Sequence, residues 1–256
     1  MTQWRRVRER ATLMAMRAVA AREGDDYVVR VFAGPLRGCH LTLPTLERPA
    51  YALGTFERHI VSAILRHARA GDTICDVGAH VGYLTLVMAR AVGPNGRVLS
   101  FEPDPRNYRA LRSNIERNRA EAIVSPVQSA VSNRTGSMKL ATFGYSFVSH
   151  LATDTTPADA KLLDVSVTTI DELGLDTLQL IKIDVEGAEG DVFQGAERTL
   201  TTHRPVVISE VRGVQPSWSA ISALMQSLDY RFEVLHGDLG DPSTNGLADV
   251  IFLPRR

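Results

Sequence analysis

The fold is decided by a run that reads Ile74-Cys75-Asp76-Val77-Gly78-Ala79-His80-Val81-Gly82. Its apolar start predicts a strand over Ile74–Val77, and its glycines predict a turn that leads into a helix over about Val81–Val92. Pro94-Asn95-Gly96 ends that helix, and Arg97–Phe101 reads as a second strand. A strand, a helix and a second strand in this order form the repeating unit of a parallel sheet.

The alternation of strands and helices continues along the chain. The expected helices are Thr55–Ala68, Pro105–Arg119, Asp191–Leu200 and Trp218–Leu228, and the further strands are Ile123–Gln128, Leu180–Ile183, Val206–Ser209, Phe232–Leu235 and Val250–Leu253. The last two strands have no helix between them, so they should form an antiparallel hairpin at one edge of the sheet. The pattern predicts an α/β fold with a mostly parallel seven-stranded sheet and a C-terminal antiparallel hairpin.

A short N-terminal extension precedes this sheet. Tyr27–Phe32 and His40–Leu43 are expected to pair as a hairpin. We therefore divide the chain into an extension of residues 1–50 and a main domain of residues 51–256. The arginines and apolar residues of Trp4–Arg22 predict a helix that binds a membrane surface or a partner subunit, or packs on its own domain. A homo-oligomer formed through this helix is one of these outcomes.

Composition and charge exclude several classes of protein. The 29 basic and 29 acidic side chains cancel, so no overall charge attracts the chain to nucleic acid or anionic lipid. No uninterrupted apolar stretch reaches the roughly 18 residues that span a membrane, and no secretory signal is recognised. Cys39 and Cys75 show neither a disulfide framework nor metal-ligand spacing. We expect a cytoplasmic protein without a nucleic-acid partner or an integral membrane segment.

The glycine turn and a later acidic residue form a cofactor motif. Glu102 lies 20 positions after Gly82, the spacing of a carboxylate that accepts hydrogen bonds from ribose hydroxyls. A dinucleotide needs bare backbone for its pyrophosphate, but His80 stands where its middle glycine is needed. Asp76, two residues before Gly78, would repel phosphates, whereas a carboxylate there suits the ammonium and sulfonium charges of S-adenosylmethionine. The loop therefore favours S-adenosylmethionine over a dinucleotide.

A second acidic cluster follows the predicted strand Leu180–Ile183. The run continues Asp184-Val185-Glu186-Gly187-Ala188-Glu189, and carboxylates at this end of a strand face the ligand crevice of an open α/β sheet. Nearby like charges raise carboxyl pKa values, which suits a general base. Glu210 ends the next strand at the same rim. Glu189 is explained as the start of a helix, and Lys182 is either a neutralising partner or a catalytic group.

Together these residues resemble the FkbM-type methyltransferases over roughly Tyr51–Pro254. The likeness rests on Leu53–Glu57, Gly71-Asp72, Asp76–Tyr83, Phe101–Pro105, Ile181–Glu189, Arg204-Pro205 with Glu210, and Phe252–Pro254, of which Ile181–Glu189 is the most specific. The resemblance implies a Rossmann-like class I methyltransferase fold. It also implies methyl transfer from S-adenosylmethionine, most often to a hydroxyl of a sugar or natural product.

The resemblance also assigns roles to individual residues. Four are implied to hold the cofactor and two more to line its pocket: Asp76, Gly78, Gly82 and Glu102, then Glu57 and Asp184. Ser129 stands where many methyltransferases place an acid against the adenine amine. His80 replaces the usual Asn, and a histidine can still donate or accept a hydrogen bond at the methionine end of the cofactor.

The chemistry follows from the need to deprotonate a hydroxyl acceptor. The hypothesis names Asp184 or Glu186 as the base, with His150 next; His150 lies in a predicted loop over Ala141–Val165 that would shape the pocket for a small-molecule or glycoside substrate. A second hypothesis places Mg²⁺ on Asp184, Glu186 and Glu210. Transfer to a carboxylate or amine remains open, as does a non-catalytic accessory subunit that only binds the cofactor.

Overall fold

The structure is a computed structural model that describes residues 21–23, 26–44, 49–142, 149–151, 156, 160–213, 216–241 and 246–255. Its strands are β1 (Ala21–Glu23), β2 (Asp26–Arg30), β3 (His40–Leu43), β4 (Thr73–Val77), β5 (Arg97–Phe101), β6 (Val124–Val127), β7 (Ala130–Val131), β8 (Gly136–Thr142), β9 (Ser149–Leu151), β10 (Lys161–Thr168), β11 (Leu180–Ile183), β12 (Val206–Arg212), β13 (Tyr230–Gly237) and β14 (Leu247–Pro254). Its helices are α1 (Ala50–Leu53), α2 (Arg58–His67), α3 (Tyr83–Val92), α4 (Pro105–Arg117), α5 (Glu189–Gln194), α6 (Glu197–His203) and α7 (Pro216–Ser227).

The main sheet has seven strands in the order β13-β14-β12-β11-β4-β5-β6. Its neighbouring strands from β6 to β12 pair in parallel, whereas β14 runs antiparallel to both β12 and β13. The predicted α/β fold with a mostly parallel sheet and a C-terminal antiparallel hairpin is therefore confirmed. None of the helices in the described ranges is long and apolar enough to cross a membrane.

Apolar side chains cover both faces of this sheet, because successive residues of a strand point to opposite sides. In β11, Leu180 packs into the cluster that contains α2, α3 and α4 residues. Ile181 and Ile183 pack into the cluster formed with α5, α6 and α7. The next position on the first face after Leu180 is Lys182, and its parallel partner in β4 is Asp76. Two buried charges thus replace apolar residues at one end of the sheet.

The predicted N-terminal hairpin is confirmed, since β2 and β3 pair antiparallel. The hairpin is tied to α4 and to the turn after β4 by the buried Asn114 of α4, which donates to the carbonyl oxygens of Thr42 (3.0 Å) and Val81 (2.7 Å) and accepts from the Thr42 amide. The helix predicted over Trp4–Arg22 is wrong at its C-terminal end, because Ala21 and Arg22 belong to β1, which pairs with β2. Residues 1–20, and with them the homo-oligomer hypothesis, lie outside the described residues. The domain boundary at residue 50 stays a prediction.

A second sheet, in the order β7-β10-β8-β9, is missing from the sequence prediction. Its strands surround a small apolar cluster that contains Leu140, Leu151, Val165 and Val167. The predicted loop over Ala141–Val165 is therefore wrong where β8, β9 and β10 occupy it. Residues 143–148, 152–155 and 157–159 of that range lie outside the described residues.

The helix predicted over Asp191–Leu200 is divided into α5 and α6. Gly195 lies at the division, and a Cβ there would stand 2.1 Å from the carbonyl oxygen of Ser132. The carbonyl of Gly195 accepts a hydrogen bond from the Asp171 amide (2.9 Å). The chain breaks the helix here because the segment that follows β7 packs directly against its backbone.

Candidate functional site

A cleft lies beyond the carboxyl ends of β4, β5 and β11, where open α/β sheets bind ligands. It encloses about 950 Å³ when its open mouth is included. The glycine turn after β4, the acidic ends of two strands, several aromatic rings and part of the second sheet line it. The polar and aromatic members of this lining are Tyr51, Phe56, Glu57, His80, Tyr83, Phe101, Glu102, Asn107, Ser129, Lys182, Asp184 and Glu186.

The turn after β4 brings backbone close to the cleft. Gly78 has φ 79°, and a Cβ on it would stand 1.8 Å from the carbonyl oxygen of Asp184. Only glycine allows the loops after β4 and β11 to approach this closely. Gly82 caps α3 with φ 86°, and a Cβ there would meet Leu111 at 2.5 Å. Gly78 therefore lines the cleft, whereas Gly82 lies outside the lining and packs against Leu111 of α4.

Glu102 is a buried carboxylate held by the glycine turn. Its Oε2 accepts from the His80 amide (2.8 Å) and its Oε1 from the Asp104 amide (2.9 Å). His80 reaches this position with φ 53°, an uncommon value for a residue other than glycine. Burial raises the pKa of Glu102 to about 7, against the opposing effect of the two amides. Each oxygen keeps lone pairs that can accept from ligand hydroxyls.

Lys182 joins two of the predicted acids. Its Nζ donates to the Gly78 carbonyl (3.0 Å) and lies 3.4 Å from Asp184 Oδ2 and 3.7 Å from Asp76 Oδ1. Burial alone would lower the pKa of Lys182. The neighbouring Asp184 and Asp76 carboxylates raise it by more, so the net shift of the pKa is upward. Burial raises the pKa of Asp76, whose Oδ2 accepts from the Thr85 hydroxyl (2.6 Å). These contacts are those expected of a neutralising partner, and Lys182 also lines the cleft, whereas Asp76 lies beneath the lining.

The remaining predicted cofactor contacts also reach the cleft. Glu57 enters it from the start of α2 with φ 41°. Ser129 also lines the cleft, and its Oγ is 2.9 Å from the Ala130 carbonyl and 3.0 Å from the Ser166 carbonyl. The Ser129 proton is therefore directed at backbone oxygens, which leaves an oxygen lone pair to accept from a ligand amine.

The charge of the lining discriminates between cofactors. Four of the described lining residues are acidic, Glu57, Glu102, Asp184 and Glu186, and Lys182 is the one lysine or arginine among them. An excess of carboxylates disfavours a pyrophosphate and suits a cofactor that carries ammonium and sulfonium groups. The residues present therefore fit S-adenosylmethionine better than a dinucleotide.

Comparison with known proteins decides the family. The family model of the methyltransferase FkbM domain matches residues 76–232, more than half of the chain and including both acidic strand ends. The chain belongs to the FkbM methyltransferase family. The resemblance read from Ile181–Glu189 and the glycine turn is thereby confirmed.

Two curated relatives of this FkbM family member are methyltransferases. The 31-O-demethyl-FK506 methyltransferase FkbM of Streptomyces tacrolimicus is 27% identical over 63% of this chain and 75% of its own length. The methyltransferase sdnD of Sordaria araneosa is 28% identical over 58% of this chain and 70% of its own length.

Two solved structures are similar to the family member. The Pyrococcus horikoshii protein PH0793 superposes with a TM-score of 0.52 and 15% identity, over 91% of this chain and 74% of that one, which supports a common fold. The match to the FkbM methyltransferase of Methylobacillus flagellatus has a TM-score of 0.49 and 17% identity and covers 96% of this chain. This chain spans only 59% of that protein's length.

In this FkbM family member, the proposed catalytic acids divide into two groups. Asp184 and Glu186 line the cleft, whereas Glu210 of β12 lies outside the lining. Burial raises the pKa of Glu210 to about 8, and the carboxylates of Asp184, Glu186 and Asp249 add to the rise. Glu186 faces Arg212, whose Nη2 is 3.7 Å from its Oε2. Glu210 thus shares the electrostatic environment of the cleft without forming its wall.

His150 was proposed as an alternative base. The structure places it in β9, opposite Ala141 of β8, and the next residue, Leu151, lines the cleft. The side chain of His150 lies outside the described part of the chain, so its catalytic role stays a prediction.

Three aromatic residues were missed by the sequence analysis. The rings of Tyr51, Phe56 and Tyr83 form one cluster in the cleft wall, with centroids 4.4 Å, 5.4 Å and 5.5 Å apart. Phe56 and Tyr83 belong to runs that carry the family resemblance, so a signal was present. The resemblance did not show whether these aromatic side chains line the cleft or pack in the core.

Proposed function

We propose that this chain transfers a methyl group from S-adenosylmethionine to a hydroxyl oxygen of a sugar or a natural-product small molecule. The observation that carries the proposal is the acidic cleft around Glu102, a buried carboxylate beside the glycine turn. The relative from Streptomyces tacrolimicus supports a hydroxyl acceptor, because its name places the missing methyl group on an oxygen.

The binding roles follow from the position of each side chain. Glu102 would accept hydrogen bonds from ribose hydroxyls, and Ser129 Oγ would accept from the adenine amine. Glu57 and Asp184 would attract the positive charges of the cofactor. The rings of Tyr51 and its neighbours would exclude water and hold the reactants in line, which lowers the entropic part of the barrier.

A hydroxyl acceptor must also lose its proton. Bound S-adenosylmethionine would supply a methyl group on a positively charged sulfur: the acceptor oxygen would bond to the methyl carbon as the carbon–sulfur bond breaks, with neutral S-adenosylhomocysteine as the leaving group. We place the proton on Asp184, because it lines the cleft beside Gly78 and its Oδ2 is oriented by Lys182. Its other oxygen, Oδ1, would act as the acceptor atom. Glu186, also in the lining, is the second candidate.

The cofactor is tested by calorimetric titration with S-adenosylhomocysteine, using NAD as the control. We expect micromolar binding of S-adenosylhomocysteine and none of NAD. Binding of NAD alone, or of neither compound, would overturn the assignment of the cleft.

One assay, which follows the transfer of a labelled methyl group from S-adenosylmethionine, tests both the base and the acceptor. We expect Asp184→Asn to bind S-adenosylhomocysteine within about tenfold of wild type and to lose about 10²–10⁴-fold in turnover. Glu186→Gln is the matched variant in the same loop, and it should retain most activity. Methyl glycosides of glucose, glucuronic acid and glucosamine are offered as acceptors, and the position of the transferred methyl group in each product is determined by NMR. Methyl groups found only on the carboxylate or the amine, or full activity of Asp184→Asn, would contradict the mechanism.

A further inference from the structure

Two histidines and a carboxylate from three separate segments meet beside the cleft. His59 Nε2 of α2 lies 2.6 Å from Asp249 Oδ2 of β14. The ring of His236 in β13 stacks on that of His59, with centroids 4.6 Å apart and planes 15° apart. One ligand atom from each residue falls within 4.8 Å of the other two. Neither the fold nor the proposed methyl transfer requires this group.

The sheet register builds the cluster. Asp249 pairs with Glu210 of β12 on one side and with His236 of β13 on the other. Antiparallel partners share a face of the sheet, so Glu210, Asp249 and His236 form a row across three adjacent strands. Ile251 packs in the same apolar cluster as Ile60 of α2, which shows that this face lies under the helix that carries His59.

A β-bulge aims His236 at the cluster. Val234 pairs with Val250, and regular pairing would therefore put Leu235 opposite Asp249. The register shifts between Val234 and His236, so that His236 takes this position instead. An extra residue in an edge strand re-aims a side chain in this way. The two histidines and Asp249 thus converge through specific features of backbone and register.

The surrounding charge favours a cation. Glu210 is the register partner of Asp249 in the row, so a second carboxyl group stands beside the cluster. A bound divalent cation would be attracted to the negative charge of these groups. Asp249 is partly buried and His236 is exposed, so an ion can reach the cluster from solvent.

We propose that His59, His236 and Asp249 bind a divalent first-row transition-metal ion, with Zn²⁺ or Co²⁺ as the suitable probe. Imidazole nitrogens together with one carboxylate select such ions, whereas Mg²⁺ prefers oxygen ligands. Ligands that bind at about 2.1 Å lie no more than about 4.2 Å apart around one ion. An ion lies near the plane of each imidazole that binds it, so the stacked rings of His59 and His236 must turn about their side-chain bonds to converge on one ion. The ion would lie beside the cleft, with Glu210 as the adjacent charge.

The test uses full-length protein without a polyhistidine tag, treated with a chelator and then titrated with Zn²⁺ by calorimetry and with Co²⁺ by visible absorption. We expect one ion per chain, with a Co²⁺ spectrum of a nitrogen-ligated site. His59→Ala, His236→Gln and Asp249→Asn should each weaken binding by at least tenfold. His40→Ala, which removes an exposed histidine in β3, should leave binding unchanged.

The outcomes separate this proposal from the proposed function. Thermal unfolding of each variant shows whether it folds, and His236→Gln alters an exposed side chain and is expected to fold as wild type. The proposal is overturned if wild type binds no ion, if the three variants bind as wild type, or if His40→Ala weakens binding as much. Ion binding is measured without the methyl donor, so a failure to bind S-adenosylhomocysteine would leave this result interpretable.

Discussion

At the scale of the residue, Glu102 makes cofactor binding depend on pH. Burial raises its pKa to about 7, so the free protein holds it largely protonated at pH 6 and ionised at pH 8. The ionised carboxylate is the stronger acceptor for ribose hydroxyls, and protonation converts one of its oxygens into a donor, so binding should strengthen as the pH rises. We expect the affinity for S-adenosylhomocysteine to be about tenfold higher at pH 8 than at pH 6. Calorimetry at both pH values measures it.

The control for this prediction is Glu102→Gln. The variant should bind weakly at both pH values, because its amide cannot become charged. An equal affinity of the wild type at pH 6 and pH 8 would show that Glu102 does not bind in its ionised form.

At the scale of the element, Asn114 determines how the N-terminal hairpin sits on α4. Its side chain serves two buried backbone groups of Thr42 and the carbonyl of Val81. Asn114→Ala leaves these groups without partners, and we expect the free energy of unfolding to fall by about 2–4 kcal/mol. Chemical denaturation measures the loss.

The matched variant is Asn118→Ala, at the C-terminal cap of α4 and one turn after Asn114. Asn118 makes the same kind of bonds to both backbone groups of His40, which is exposed. Water can replace these bonds, so the expected loss is below about 1 kcal/mol. Equal losses for the two variants would mean that burial does not decide the contribution of these bonds.

At the scale of the whole molecule, the cleft couples the main sheet to the second sheet. Gly78 and Glu102 come from the main sheet, whereas Leu140 and Leu151 come from the second. A ligand that binds only the folded chain stabilises both sheets against unfolding. At a concentration 100 times its dissociation constant, S-adenosylhomocysteine should add about 2.7 kcal/mol to the free energy of unfolding.

Denaturation with and without the ligand measures this stabilisation. The surface variant Glu121→Gln should show the same increase, and Glu102→Gln should show almost none at that ligand concentration. A wild type that gains no stability while binding the ligand would indicate that the ligand also binds the unfolded chain.

The sequence by itself determined the main sheet and most of the cleft. Strand-to-helix alternation is local, and Gly78 and Glu102 are tied to the ends of adjacent strands, so their positions follow from the order of elements. The second sheet was missed although Leu163, Val165 and Val167 alternate in the manner of a strand. Its strands do not alternate with helices along the chain, so the pattern that predicted the main sheet does not apply to them. They pair with each other across a segment that the sequence analysis assigned to a loop.

The tertiary structure decided which side chains meet. Asp76 was expected in the cofactor site but lies beneath it, because parallel pairing puts it against Lys182. His59, His236 and Asp249 are far apart in the chain and form no motif. Their meeting depends on antiparallel register and on one bulge in β13. Local sequence sets strands and turns, whereas register and packing between distant segments depend on the whole folded chain.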